Sequence, residues 1–458
     1  MKNTSRLMDI LERCVQGPVV SETKFDLEHV SQGIQQAIKK YDIRMDQSHI
    51  VNQDDELADR VWQAAIDFFE SCGVYCTSTG RVIAFSREEI ERIVRQSPAE
   101  AWIGEGTDAR LEYHREVEDP RPPLVVGGPI GAPLPEDLFV PIMQSYVQEP
   151  IVDATTGGFL ETVYGREIRA RSPLEVIAAW EEMDLMMLAL KRAGRPGMSV
   201  GCVQMSVSDI GHLSAVSRGG YRPTDFQMIA MIGEMKTNFE LLNKVAHCIR
   251  QDGVLQGFYN PIYGGLCGGA EGLAVLITAG MIALNVTYMA TSHGTTPTHP
   301  FHFNDTGRET MMAASLALQA ISRNSHLITV LSNTPVGGPG TKTLLYETAA
   351  LTTLSTVSGS SHAFGPRSAT GVVSGHCTGL EARFTGEVAH AATKVNREQA
   401  DEIVKKALNL YEDLQDKKPF GKSFPEVYDV NKVQPKKDWL NIYDQVKKEV
   451  ASWGLPLQ

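Results

Sequence analysis

Apolar residues recur along this chain with two different periods, and the change between them divides it. In the first hundred residues Leu57, Val61, Ala64, Ala65, Phe68 and Phe69 fall at helical spacing, so one stripe faces a core. Ser86 suits an N-cap for a further helix running to about Gln96, with acids in its first turn. Residues 120–140 contain PRPPLVVGGPIGAPLPEDLF, a Pro- and Gly-rich run that predicts a loop between an N-terminal cap and the main body. Pro173–Ala193 then predicts a long helix with Leu174, Ile177, Trp180, Met183 and Met187 on one face. Pro173 suits its first turn and Gly194 its C-terminal end.

β-rich runs follow at Met198–Met205, Val254–Tyr259, Asn285–Ala290 and His326–Ser332, separated by small-residue helices at Ala270–Leu284 and Glu309–Ile321. Strand, helix, strand at this spacing means βαβ units on a parallel sheet. Enough units follow to close an α/β fold of the (β/α)8 TIM-barrel type. The predicted division is an N-terminal, mainly helical cap over 1–120, a barrel over 121–410 and a C-terminal helical extension over 411–458. Sites in such barrels lie on the loops after the strands, where the Gly- and His-rich segments fall.

Composition narrows the partners. Of 458 residues, 55 are acidic and 43 basic, a net charge of −12, which argues against a nucleic-acid or anionic-membrane surface. The start of the chain does not read as a signal peptide, and no run approaches the roughly 18 consecutive apolar residues of a spanning helix. Seven cysteines are scattered over the chain, an odd number that predicts reduced cytoplasmic thiols rather than a disulfide frame.

Three groups of residues carry candidate chemistry. His293, His299 and His302 lie in SHGTTPTHPFHF, at a predicted strand end. They read as pocket groups that bond a substrate carboxylate or act as general acid, as structural histidines, or as metal ligands. Phe258, Tyr259 and Tyr263 end a predicted strand, where aromatic faces attract cations or simply pack. Arg383 and Glu387 stand at i and i+4 on a predicted helix, which suggests a salt bridge.

The order and spacing of several longer motifs point to a family. They are SCGVYCTSTGRVI (71–83), GGPIGAP (127–133), EDLF (136–139), SPLEV (172–176), GRPGM (194–198), NPIYGGLCGG (260–269), GRETMM (307–312) and TGLEARFTGEVAHA (378–391). Together they resemble the monomethylamine methyltransferases over nearly the whole chain. The resemblance implies a TIM barrel that assembles as a homo-oligomer, a hexamer by the family's habit. It implies no tightly bound cofactor and no metal of its own, and a methyl group delivered to a partner corrinoid (cobalamin) protein.

The departures from the family's pattern cluster at the chemistry. GRPGMSV is followed by Gly201, where the family carries pyrrolysine. Phe258 stands in place of an acid, Gln204 in place of a carboxylate, and no amide or phenol in Ser332–Gly340 matches the family's Gln and Tyr. The pyrrolysine imine captures methylamine, and neither glycine nor the thiol of Cys202 replaces it. A quaternary ammonium donor brings its own leaving group. The resemblance therefore suggests a pocket of Gly201, Cys202, Gln204, Phe258, Tyr259 and Tyr263, with Gly264, Gly265 and Gly268 allowing tight packing or close approach of the corrinoid ring. Two alternatives stay open: an O- or S-methyl donor, zinc-assisted through the three histidines, and a non-catalytic homologue that only binds the corrinoid protein.

Overall fold

The computed structural model describes residues 2–201, 208–217 and 220–457. Eight parallel strands close a barrel. Numbered within the barrel they are β1 (Leu124–Gly127), β2 (Ala154–Thr156), β3 (Val200–Gly201), β4 (Phe226–Met231), β5 (Val254–Tyr259), β6 (Ser292–Thr295), β7 (Ile328–Ser332) and β8 (His362–Phe364). Each strand pairs with the next in sequence, and β8 pairs with β1. The helices that follow them are α1 (Phe139–Val147), α2 (Pro173–Arg192), α3 (Asp209–Ala215), α4 (Phe239–Arg250), α5 (Ala270–Tyr288), α6 (Arg308–Asn324), α7 (Lys342–Val357) and α8 (Gly379–Ala392). This is the (β/α)8 barrel expected from the alternation.

Side chains at the helix starts explain why the chain turns where it does. Asn238 caps α4 by accepting from Leu241 N, and Thr341 caps α7 by accepting from Leu344 N. Thr378 and Glu381 form a capping box at α8. Pro173 opens α2 and Gly194, at φ +73°, stands just beyond its end, as the sequence suggests. The buried face of α2 is rotated from the expected one. Ala178, Ala179, Met183, Met186 and Ala189 are inside, while Trp180 is exposed and donates to Ser214 O.

Other boundaries also move. The run Asn285–Ala290 is not a strand: α5 continues to Tyr288, Met289 takes a left-handed conformation, and the strand is Ser292–Thr295. α5 is a 19-residue helix of mean hydropathy 1.6, long and apolar enough to cross a bilayer, and it is buried inside the protein. A continuous apolar run cannot be divided into helix and strand by periodicity. The Pro- and Gly-rich segment expected as a loop contains β1, because Leu124, Val125 and Val126 form a fully buried strand between its prolines and glycines.

Two apolar cores result. The larger fills the space between strands and helices and continues into the N-terminal cap, whose helix Asp55–Cys72 packs on α5 and α6. The smaller is the barrel lumen: Ile103, Leu124, Val126, Ala154, Phe226, Met228, Phe258, Val330 and Phe364. The cap is tied to the barrel by backbone pairing, with Tyr75 and Cys76 in register with Lys236 and Thr237 on the loop between β4 and α4. The C-terminal helices Arg397–Tyr411 and Lys437–Ser452 both pack on α7. The six described cysteines are free and buried.

Candidate active site

Alternation along the strands decides what enters the lumen. Ala230, Phe258 and Gly294 are cross-strand partners on β4, β5 and β6, and a Cβ on Gly294 would strike the Phe258 ring. Their neighbours Gly257 and His293 therefore face the helix layer, where a Cβ on Gly257 would meet Leu284 and Ala290. The floor of the lumen is polar. Gln256 Nε2 lies 3.4 Å from Ser292 Oγ and 3.5 Å from His362 Nδ1, and His362 Nε2 is 3.0 Å from Glu112 Oε2. Glu112 and Ile103 come from the hairpin Glu100–Ile103/Arg110–Tyr113, which closes this end.

At the other end, where the strands finish, a cavity of about 510 Å³ opens. Met228, Ala230 and Phe258 form an apolar wall, and Ser332, Thr334 and Arg367 a polar one. Asn260, Thr296 and Thr298 come from the loops after β5 and β6, and Asn238, Glu240 and Lys244 from the start of α4. Its position fits the rule that barrel sites lie at the C-terminal face.

Gly201 faces this lumen from β3. A Cβ on it would lie 3.1 Å from Phe226 Cβ and 3.2 Å from the Met228 sulfur, so Met228 already fills the space in front of it. Phe258 is the one member of the aromatic triplet that reaches the cavity. Tyr259 points outward, fully buried, onto α5, where a Cβ on Gly280 would overlap its ring. Tyr263 stacks near His299, with ring centroids 5.9 Å apart. Cys202 and Gln204 lie outside the described residues.

The three histidines do not converge. His293 is fully buried, its Nδ1 3.0 Å from Ile328 O, and burial pushes its imidazole down to about 4. A neutral ring packed against the helix layer cannot reach a group in the lumen. His299 and His302 stack 4.4 Å apart on the loop after β6, and His302 Nε2 bonds the exposed carboxylate of Asp416 at 2.8 Å. None of the three lines the cavity, so the expected catalytic trio is corrected to one core histidine and two loop histidines. Arg383 and Glu387 do not pair with each other either. Arg383 bonds Glu149, which reaches in from the end of α1, and Glu387 bonds Lys447 and Tyr443 of the C-terminal helix. Tertiary partners outcompeted the local one.

Gly264 and Gly268 take φ of +74° and +72° in the loop after β5, closed by Gly264 N donating to Gly268 O at 3.0 Å. Gly265, between them, sits beside Glu234, which burial pushes up to about 6. The left-handed backbone at Gly264 and Gly268 is what favours glycine in this turn.

Residues that periodicity did not reveal shape the polar wall. Asp305 Oδ1 accepts Thr334 N at 2.7 Å, and Glu347 accepts Val336 N and Gly337 N at 3.1 and 2.7 Å. Both acids are fully buried, which raises their affinity for protons. Arg367 N donates to Asn333 O at 2.7 Å, joining the loops after β7 and β8. Asn333, the amide of the segment in which nothing matches the family's Gln and Tyr, is buried with neither side-chain polar atom bonded among the described residues.

A sequence profile described as "Monomethylamine methyltransferase MtmB" matches residues 6–455. The chain belongs to the monomethylamine methyltransferase family. It is 33% identical to monomethylamine methyltransferase MtmB2 of Methanosarcina acetivorans over 447 residues, which is 98% of this chain and 97% of that one. It is 32% identical to MtmB1 of Methanosarcina barkeri over the same length. The crystal structure of the Methanosarcina barkeri enzyme superposes with a TM-score of 0.95 at 31% identity, covering 98% of each chain. A complex of MtmB with hydroxylamine superposes equally well. Family and fold therefore agree over the full length.

Proposed function

We propose that this protein transfers a methyl group from an N-methylated, quaternary ammonium donor to Co(I) of a partner corrinoid protein. Gly201 stands at the family's pyrrolysine position in this reading. The observation that carries it is the filled space at Gly201: the Met228 sulfur would lie 3.2 Å from a Cβ there, and no electrophilic side chain projects from that point into the cavity. A donor that needs capture by the protein is poorly served by this wall. A donor with a permanent positive charge on nitrogen is not.

The reaction is a displacement. One methyl carbon–nitrogen bond breaks, its electron pair leaves on nitrogen as a neutral tertiary amine, and the methyl carbon bonds to the corrinoid Co(I) nucleophile. The protein's share is positioning and electrostatics. Phe258, with Phe364 5.5 Å behind it, offers an aromatic face to the cation. Met228 adds a polarizable thioether, and Ala230 leaves room beside it. The partner must reach the cavity mouth. Loops around that mouth expose Ile262, Phe301, Phe303 and Val372 at 46, 75, 56 and 61%, apolar surface of the kind that marks a docking face.

The test is methylation of Co(I) corrinoid, followed by absorbance, across methylamine, quaternary amines and methoxylated aromatics. Turnover with quaternary amines and none with methylamine is expected. Turnover with methylamine alone refutes the reading. The zinc-assisted alternative loses its support here because the three histidines are dispersed.

A further inference from the structure

The two walls of the cavity stand opposite each other and differ in chemistry. Met228 and Ala230 come from β4, and Arg367 follows β8, four strands away in either direction around the eight-stranded ring. Ser332 and Thr334, which precede Arg367 around the mouth, add two hydroxyls to its side. Among the described residues the other charged groups of the lining, Glu240 and Lys244, sit one turn apart on α4 with opposite signs. The cavity is therefore polarised, apolar and aromatic at β4–β5 and hydroxylated and cationic at β7–β8.

We infer that Arg367 determines donor specificity by anchoring an anionic group, so that the site selects a quaternary ammonium carboxylate over a quaternary alcohol or a simple methylated amine. This rests on the reading of the donor as quaternary.

The position of Arg367 is set by its surroundings. Its main-chain N–H holds Asn333 O, and its guanidinium lies over Gly371, where a Cβ would collide with it. It donates to Gly371 O at 3.5 Å. A guanidinium carries five N–H donors in a planar fork, a geometry that matches the two oxygens of a carboxylate. Asp305 and Glu347 are positioning residues behind it. They hold Thr334, Val336 and Gly337 by their N–H groups, and Gly337 O in turn accepts Ala369 N, two residues beyond Arg367. A cationic donor without a carboxylate meets like charge at this wall. A zwitterion satisfies both walls and is held in one orientation, with its methylated nitrogen against Phe258.

Calorimetric titration of the full chain tests this with glycine betaine, with choline, and with 3,3-dimethylbutanoate, the uncharged-carbon isostere of glycine betaine. Wild type and the variants Arg367→Lys and Arg367→Met are compared, with thermal unfolding as the control for folding. Wild type is expected to bind glycine betaine roughly ten- to a hundredfold tighter than choline, the size of a charge-assisted hydrogen bond. Arg367→Met should erase that difference without weakening choline by more than about threefold, since choline makes no such bond and meets like charge there. Arg367→Lys should fall between them. Equal binding of glycine betaine and choline by wild type, or equal weakening of both by Arg367→Met, overturns the anchor. Binding of 3,3-dimethylbutanoate that Arg367→Met abolishes, with neither quaternary compound bound, overturns the quaternary donor and upholds the anchor.

Discussion

Replacing Phe258 by Leu separates the aromatic face from its bulk. The Phe258 side chain is 5% exposed in the lumen, with its ring tilted 48° to that of Phe364 at 5.5 Å. Leucine keeps an apolar group of moderate volume against Ala230 and Gly294 and removes the π surface. Loss of the aromatic pair costs about 0.5–1.5 kcal/mol of stability. A cation over the face of one ring is worth about 0.5–2 kcal/mol, which predicts a two- to thirtyfold weaker Kd for a quaternary donor. Glycine betaine and 3,3-dimethylbutanoate have nearly the same shape and differ in charge on the central atom. Titration of both into wild type and Phe258→Leu should show the loss for the first and little change for the second. Equal losses for the two ligands would mean that Phe258 supplies only packing, and an unchanged glycine betaine affinity would remove it from the site.

Other expectations can be checked separately. His293 is neutral in the fold at about 4 and protonates near 6.5 when unfolded. The unfolded chain binds more protons between those values, so this contribution is complete above pH 6.5 and falls away toward pH 4, by about 3 kcal/mol. His293→Gln should flatten urea-unfolding stability over that window and keep methyl transfer, and abolished transfer in a folded variant would restore a catalytic role. Gly280→Ala would overlap the Tyr259 ring and should cost about 3 kcal/mol or more in chemical denaturation. A cost under about 1 kcal/mol would show that Tyr259 is free to move. His302→Ala removes a bond to exposed Asp416 and should change stability by less than about 1 kcal/mol, with turnover unaltered. A tenfold loss of turnover would return that loop to the active site.

The sequence disclosed the barrel because its later strands and helices alternate, and Val254–Tyr259 was legible residue for residue. It disclosed less where burial is uniform. α5 is apolar on every side, so nothing in its pattern marks Tyr288 as its end. β1 hides among prolines and glycines, and β2, β3 and β8 are too short to show a period. Phe258 can be placed at the cavity because it lies near the end of a strand that reads clearly. Met228 and Arg367 do not follow in this way, since the β-rich runs of the sequence include neither β4 nor β8. The histidines misled for a different reason: three in ten residues look like a cluster, but one sits in a strand facing the helices and two in the loop beyond it. Asp305 and Glu347 work through main-chain N–H groups of a distant loop, a role that no local pattern encodes.

On the proposed function, this member demethylates a quaternary amine without a protein electrophile. A single-turnover reaction with Co(I) corrinoid and a quaternary ammonium carboxylate, read by the corrinoid spectrum and by quantifying the amine product, tests it most directly. One tertiary amine should be released for each methyl group transferred, with no transfer from methylamine under the same conditions. Transfer from methylamine, with the quaternary compound left intact, would contradict it.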